Sequence, residues 1–105
     1  MDMEKIAGLK EILNLDPKNS FARYGIAVEL SHGGEIDAAM VEFDLLLAQD
    51  ADYTAGYFMS AQTLATAGRT QEAVERLKAG VQCAARTGNR HALNEMQSML
   101  DELDR

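Results

Sequence analysis

The chain has 105 residues, a net charge of −7, one cysteine and one proline. A length of this order suits one domain with its own hydrophobic core. The single cysteine excludes an intramolecular disulfide, and the acidic balance argues against nucleic-acid or anionic-membrane partners, because a phosphate-rich surface would be repelled.

Apolar residues recur at helical spacing along the chain, and no stretch alternates apolar and polar residues as a half-buried strand would. The pattern predicts helices over about residues 3–15, 21–32, 36–49, 53–67, 71–87 and 90–103. Asn19 or Ser20 is expected to cap the second helix, and Thr70 the fifth. Gly residues follow the second, fourth and fifth helices, where a left-handed residue commonly ends a helix.

A period of 34 residues runs through the middle of the chain. It relates Gly34 to Gly68, and it holds equally for the pairs Ala27/Ala61, Leu30/Leu64 and Ala39/Ala73. This is the length of one helix–turn–helix repeat. Small residues at fixed positions let two helices approach closely, so the period predicts successive packed hairpins.

These residues resemble those of the tetratricopeptide repeat family, whose unit carries a small residue and Leu in its first helix, Gly at the turn and Ala early in its second helix. The resemblance implies an all-α fold, a right-handed α-solenoid of antiparallel hairpins with about six helices. It implies a single domain over residues 1–105, with a half repeat at 3–15, full repeats at 20–51 and 54–85, and a capping helix at 89–103. The chain is also similar to small stand-alone bacterial members of the family.

The resemblance also implies where a partner binds, since the first helix of each hairpin lines the concave side of such an array. The expected groove is mostly apolar and suits a peptide or a helix. Packing of these residues within the core is the alternative. The candidate residues are Phe21, Tyr24, Gly25, Val28, Phe58, Met59, Gln62, Ala92, Leu93 and Met96.

Acidic residues are concentrated in the first half of the chain. Residues 35–52 include six Asp or Glu and no Lys or Arg. A solvated helix face that favours solubility explains this distribution, and a surface that steers a basic partner is the alternative.

Signals of chemistry are weak throughout the chain. His32 and His91 have no Cys or carboxylate at metal-ligand spacing, so no metal site and no cofactor are expected. Cys83 has no predictable general base beside it, and a buried thiol is the favoured interpretation. The charged residues among the first 15 exclude a signal peptide or a membrane span there, which favours the cytoplasm. The sequence therefore predicts a non-enzymatic module for protein–protein interaction, with a self-associating homodimer as the alternative.

Overall fold

The computed structural model describes residues 1–105 and contains six α-helices and no β-strand. None of the helices combines the length and the apolar character needed to cross a bilayer. All six predicted helices are present, with ends within one residue of the predicted positions. They are α1 (Met3–Leu15), α2 (Ser20–His32), α3 (Ile36–Gln49), α4 (Thr54–Thr66), α5 (Thr70–Thr87) and α6 (Arg90–Leu103).

Three tight turns connect helices that pack on each other. Gly34, Gly68 and Gly88 have φ angles of +78°, +79° and +72°, in the left-handed region that side chains disfavour. Each turn reverses the chain within a few residues. The helix that follows then packs against the one before it, which forms the pairs α2/α3, α4/α5 and α5/α6.

The cap predictions had different outcomes at the two sites. Asn19 caps α2 as expected, since its side-chain oxygen accepts a hydrogen bond from the Ala22 amide at 2.8 Å. The prediction that Thr70 caps α5 was wrong, because α5 begins at Thr70 and Arg69 occupies the cap position without a side-chain cap bond. The Arg69 side chain instead reaches Glu72, with Nε 2.6 Å from Oε2, and this hydrogen bond lowers the pKa of Glu72.

The helices form two compact units, residues 1–50 and residues 51–105. In the first unit, Phe43 of α3 is fully buried and the Tyr24 ring of α2 meets it edge-on, with ring centroids 6.5 Å apart. An ion pair also joins these helices, with Arg23 Nη1 2.7 Å from Glu42 Oε2. The predicted single-domain organisation, with its repeat boundaries, stays a prediction.

The N-terminal helix differs from the later ones at one packing position. Lys5 stands where the period places Ala39 and Ala73, and its ammonium lies 3.3 Å from Glu29 Oε1 of α2. The Asp2 amide also donates to Glu29, and together these contacts lower the pKa of Glu29, the amide having the larger effect. Lys5 is therefore accommodated by an ion pair at the exposed edge of α1.

In the second unit, helices α4, α5 and α6 converge on one glycine. A Cβ atom built on Gly80 of α5 would lie 2.5 Å from Met96 Sδ of α6 and 2.7 Å from Tyr57 Cβ of α4. No side chain larger than hydrogen fits there without movement of its neighbours. Gly80 therefore sets how closely α4 and α6 approach α5, and so fixes the positions of the two helices that bear the candidate site.

Candidate functional site

A groove lies between α4 and α6 in the second unit, with a cavity volume of about 570 Å³. Two residues of α4 and six of α6 form its walls. They are Phe58 and Gln62 from α4, and His91, Asn94, Glu95, Ser98, Met99 and Glu102 from α6.

The spacing of these residues follows from how α6 is packed. Met96 and Leu100 of α6 are buried in the core of the second unit. Residues three or four positions apart share a helix face, so burial of this face leaves another one directed at α4. Phe58 and Met99 are half-buried and pack against the core cluster. Their side chains form the apolar part of the groove lining, which we call the apolar floor. The other lining residues are polar.

The charged groups of the groove are carboxylates, and no Lys or Arg lines it. Glu95 has one charged neighbour, His91, whose Nε2 lies 3.7 Å from Glu95 Oε2 and is cationic only when protonated. Glu102 is exposed and makes no ion pair or hydrogen bond. The groove thus combines an apolar floor with negative charge and with the amide and hydroxyl groups of Gln62, Asn94 and Ser98.

Known proteins share this arrangement of helices. The sequence is 28% identical over 100 residues to a TPR repeat-containing protein of Pseudomonas aeruginosa, and the match covers 95% of each chain. The solution structure of a tetratricopeptide repeat domain protein from Salinibacter ruber matches with a TM-score of 0.77 and 26% identity, over 84% of this chain and 89% of that one. The chain is similar to tetratricopeptide repeat proteins in both sequence and fold. The predicted resemblance to this family and the predicted all-α fold class are confirmed.

A further tetratricopeptide repeat structure shows the fold over a greater length. The TPR2B domain of yeast Sti1, solved in complex with pHsp70, matches with a TM-score of 0.86 and 15% identity, over 94% of this chain and 79% of that one. No protein-family model matches the sequence. Tetratricopeptide repeats generally serve as modules for protein–protein interaction rather than as enzymes, and the chain has the fold for that role.

The predicted binding residues of the second unit are divided among four environments. Phe58 and Gln62 line the groove, and Leu93 lines a separate cavity of about 400 Å³ at the turn between α5 and α6. Met59 and Ala92 are half-buried and line neither cavity. Met96 is fully buried, with 0% of its surface exposed, so its side chain packs in the core and is not accessible to a partner.

The predicted binding residues of α2 belong to the first unit and differ in exposure. Phe21 is 72% exposed at the start of the helix, whereas Tyr24 and Val28 are half-buried. Gly25 is a packing position, since a Cβ atom there would lie 2.9 Å from Leu9 Cδ1 of α1. Phe21 is the one of the four with a large surface open to solvent.

Sequence reasoning missed all six residues of α6 that line the groove. The six α6 residues recur at intervals of three and four and so form one helix face, which was a signal available in the sequence. The prediction instead followed the apolar residues of this helix. Burial of Met96 shows that the apolar stripe packs inward, which leaves a more polar face to line the groove. The missed residues are His91, Asn94, Glu95, Ser98, Met99 and Glu102.

Cys83, the thiol considered for chemistry, is placed in a packing role. Cys83 is 1% exposed, with its sulfur 3.5 Å from the Ala51 carbonyl oxygen. The nearby Tyr57 hydroxyl donates to the same carbonyl at 2.7 Å, and burial raises the pKa of Tyr57. No group of three His, Cys, Asp or Glu residues is placed to hold a metal ion. The thiol and the phenol therefore serve to anchor the turn that precedes α4.

Proposed function

We propose that this protein is a non-enzymatic interaction module that holds a peptide segment of a partner protein in the groove between α4 and α6. The observation that supports the proposal is the groove itself, an open cavity with Phe58 and Met99 at its floor. Exposed apolar surface framed by polar groups is typical of a site for a protein partner. The proposal assigns peptide binding to one pair of helices.

The groove has the size and the chemistry that a peptide needs. A volume of about 570 Å³ is within the range of pockets that enclose small ligands, so it accommodates one or two large side chains. A Leu, Ile or Phe side chain would be desolvated against Phe58 and Met99, where Met adapts to different shapes. Gln62, Asn94 and Ser98 offer donors and acceptors for the polar backbone of the bound segment.

A structural neighbour supports the same kind of role. The TPR2B domain of Sti1 is solved in complex with pHsp70, so a domain of this fold binds a protein partner. At 15% sequence identity, the two proteins are alike in fold only. A partner for this chain is therefore inferred from the chemistry of its own groove.

Selection from a displayed library of random dodecapeptides tests the proposal. We expect peptides that bind the wild type and that lose about tenfold or more in affinity for Gln62→Trp, because an indole at this exposed position fills the groove. Gln71→Trp is the matched control, since Gln71 is exposed on α5 and does not line the groove. Equal binding by wild type, Gln62→Trp and Gln71→Trp would contradict the proposal.

The remaining predicted properties stay predictions. Contact of a partner with Phe21, Tyr24 or Val28 is one of them, and location in the cytoplasm is another. Self-association as a homodimer is the alternative function, and light scattering over a range of protein concentrations tests it. A monomer at every concentration would exclude the homodimer.

A further inference from the structure

The charge around the groove distinguishes between classes of peptide. Glu95 and Glu102 are seven residues apart on α6, which is two helical turns or about 10 Å along the axis. Both line the groove, whereas none of its lining residues is Lys or Arg. A ligand that enters between these carboxylates meets negative potential from two points above an apolar floor.

The two carboxylates have little compensation from within the protein. Glu102 makes no ion pair or hydrogen bond. Glu95 faces only His91, at 3.7 Å, and a neutral imidazole leaves its charge uncompensated. An incoming cation therefore gains an attractive partner without first displacing an existing Lys or Arg.

We propose that the groove selects cationic peptide segments, in which a Lys or Arg side chain lies close to the apolar side chain that fills it. This inference rests on the proposed function, because it assumes that a peptide occupies the groove. Phe58 and Met99 receive the apolar side chain, and Glu95 and Glu102 pair with the flanking cations. Arg suits these carboxylates especially well, since a guanidinium group donates two parallel hydrogen bonds to a single carboxylate.

The same geometry disfavours acidic segments. A peptide carboxylate placed between Glu95 and Glu102 would meet like charges and find no cationic side chain in the wall of the groove. Burying it without a cation or a free backbone donor is costly. The groove thus repels an acidic segment and attracts a basic one, and both effects contribute to its selectivity.

The peptides selected above provide the probe for this inference. We expect them to be enriched in Lys and Arg beside their apolar residue. The double variant Glu95→Gln/Glu102→Gln should bind them about twofold to tenfold more weakly, as is typical of two exposed ion pairs. Affinity for the wild type should also fall as salt is added, because salt screens exposed charges.

A second double variant controls for net charge. Glu11→Gln/Glu75→Gln removes the same two charges from exposed positions on α1 and α5 that do not line the groove, and it should bind the peptides as the wild type does. Peptides that are blocked by Gln62→Trp, lack basic residues and bind both double variants equally would overturn the charge inference and leave the proposed function standing. Peptides unaffected by Gln62→Trp, or the absence of any bound peptide, would overturn both.

Discussion

Replacement of Gly80 by alanine tests how the helices that bear the groove are held. The added Cβ would lie 2.7 Å from Tyr57 Cβ, an atom fixed to the α4 backbone, and 2.5 Å from Met96 Sδ. The thioether can rotate away, but Tyr57 Cβ can move only with α4. Gly80→Ala therefore forces α4 and α5 apart beside Tyr57, the residue that precedes Phe58 of the groove.

The expected change in the free energy of unfolding is the difference between two effects. Overpacking of a close contact costs about 1–3 kcal/mol. Alanine in a helix interior is favoured over glycine by about 1 kcal/mol. Gly80→Ala should therefore lower the free energy of unfolding by about 0–2 kcal/mol. Gly8→Ala is the matched control, since Gly8 is in α1 and no neighbouring atom lies within 4 Å of the added Cβ. Gly8→Ala should raise the free energy of unfolding by up to about 1 kcal/mol.

Urea unfolding followed by far-ultraviolet circular dichroism measures both variants under the same conditions. The separation between them should be about 1–3 kcal/mol, with Gly80→Ala the less stable. The selected peptides should also bind Gly80→Ala more weakly, because the groove walls have shifted. If Gly80→Ala gains as much stability as Gly8→Ala, the close approach of α4 and α5 does not exist and the reasoning is refuted.

Further predictions concern single interactions in the two units. Glu42→Ala removes the partner of Arg23, whose side chain is only 15% exposed, and should cost about 1–3 kcal/mol of unfolding free energy. Arg86→Ala breaks an ion pair with Asp52 that is more than half exposed on both sides, and should cost less than about 1 kcal/mol; equal losses in urea unfolding would argue against burial as the cause. Asn19→Ala should cost about 1 kcal/mol by removing the cap of α2. Asn14→Ala, at an exposed position of α1, should cost nothing, and an unchanged unfolding midpoint for Asn19→Ala would refute the role of the cap.

The fold was predictable because its determinants are local. The period that relates Gly34 to Gly68 marks two turns that the structure forms with positive φ angles. Ala39 and Ala73 follow the same period and are both fully buried. Helix spacing and glycine stops are read directly from the sequence, so all six helices were expected. The cap of α5 was not predictable, because Arg is not among the residue types that favour the cap position and the Arg69–Glu72 contact depends on side-chain geometry.

The groove was only partly predictable, because it depends on how α6 is rotated against its neighbours. An apolar residue at helical spacing marks either a core or a binding surface, and the sequence does not distinguish them. Phe58 and Met96 illustrate the two outcomes, the first at the groove and the second fully buried beside Gly80. The acidic groove residues Glu95 and Glu102 lie outside the conspicuous acidic stretch of residues 35–52. Their significance follows from their position opposite α4, which composition does not reveal.

Titration of the isotope-labelled protein with one selected cationic peptide, followed in two-dimensional amide NMR spectra, tests the central claim most directly. We predict saturable shifts concentrated on the facing sides of α4 and α6, at Phe58, Gln62, Asn94 and Ser98, and the same titration of Gln62→Trp should leave them unshifted. Saturable shifts confined to α1, α2 and α3, with α4 and α6 unchanged, would contradict the account.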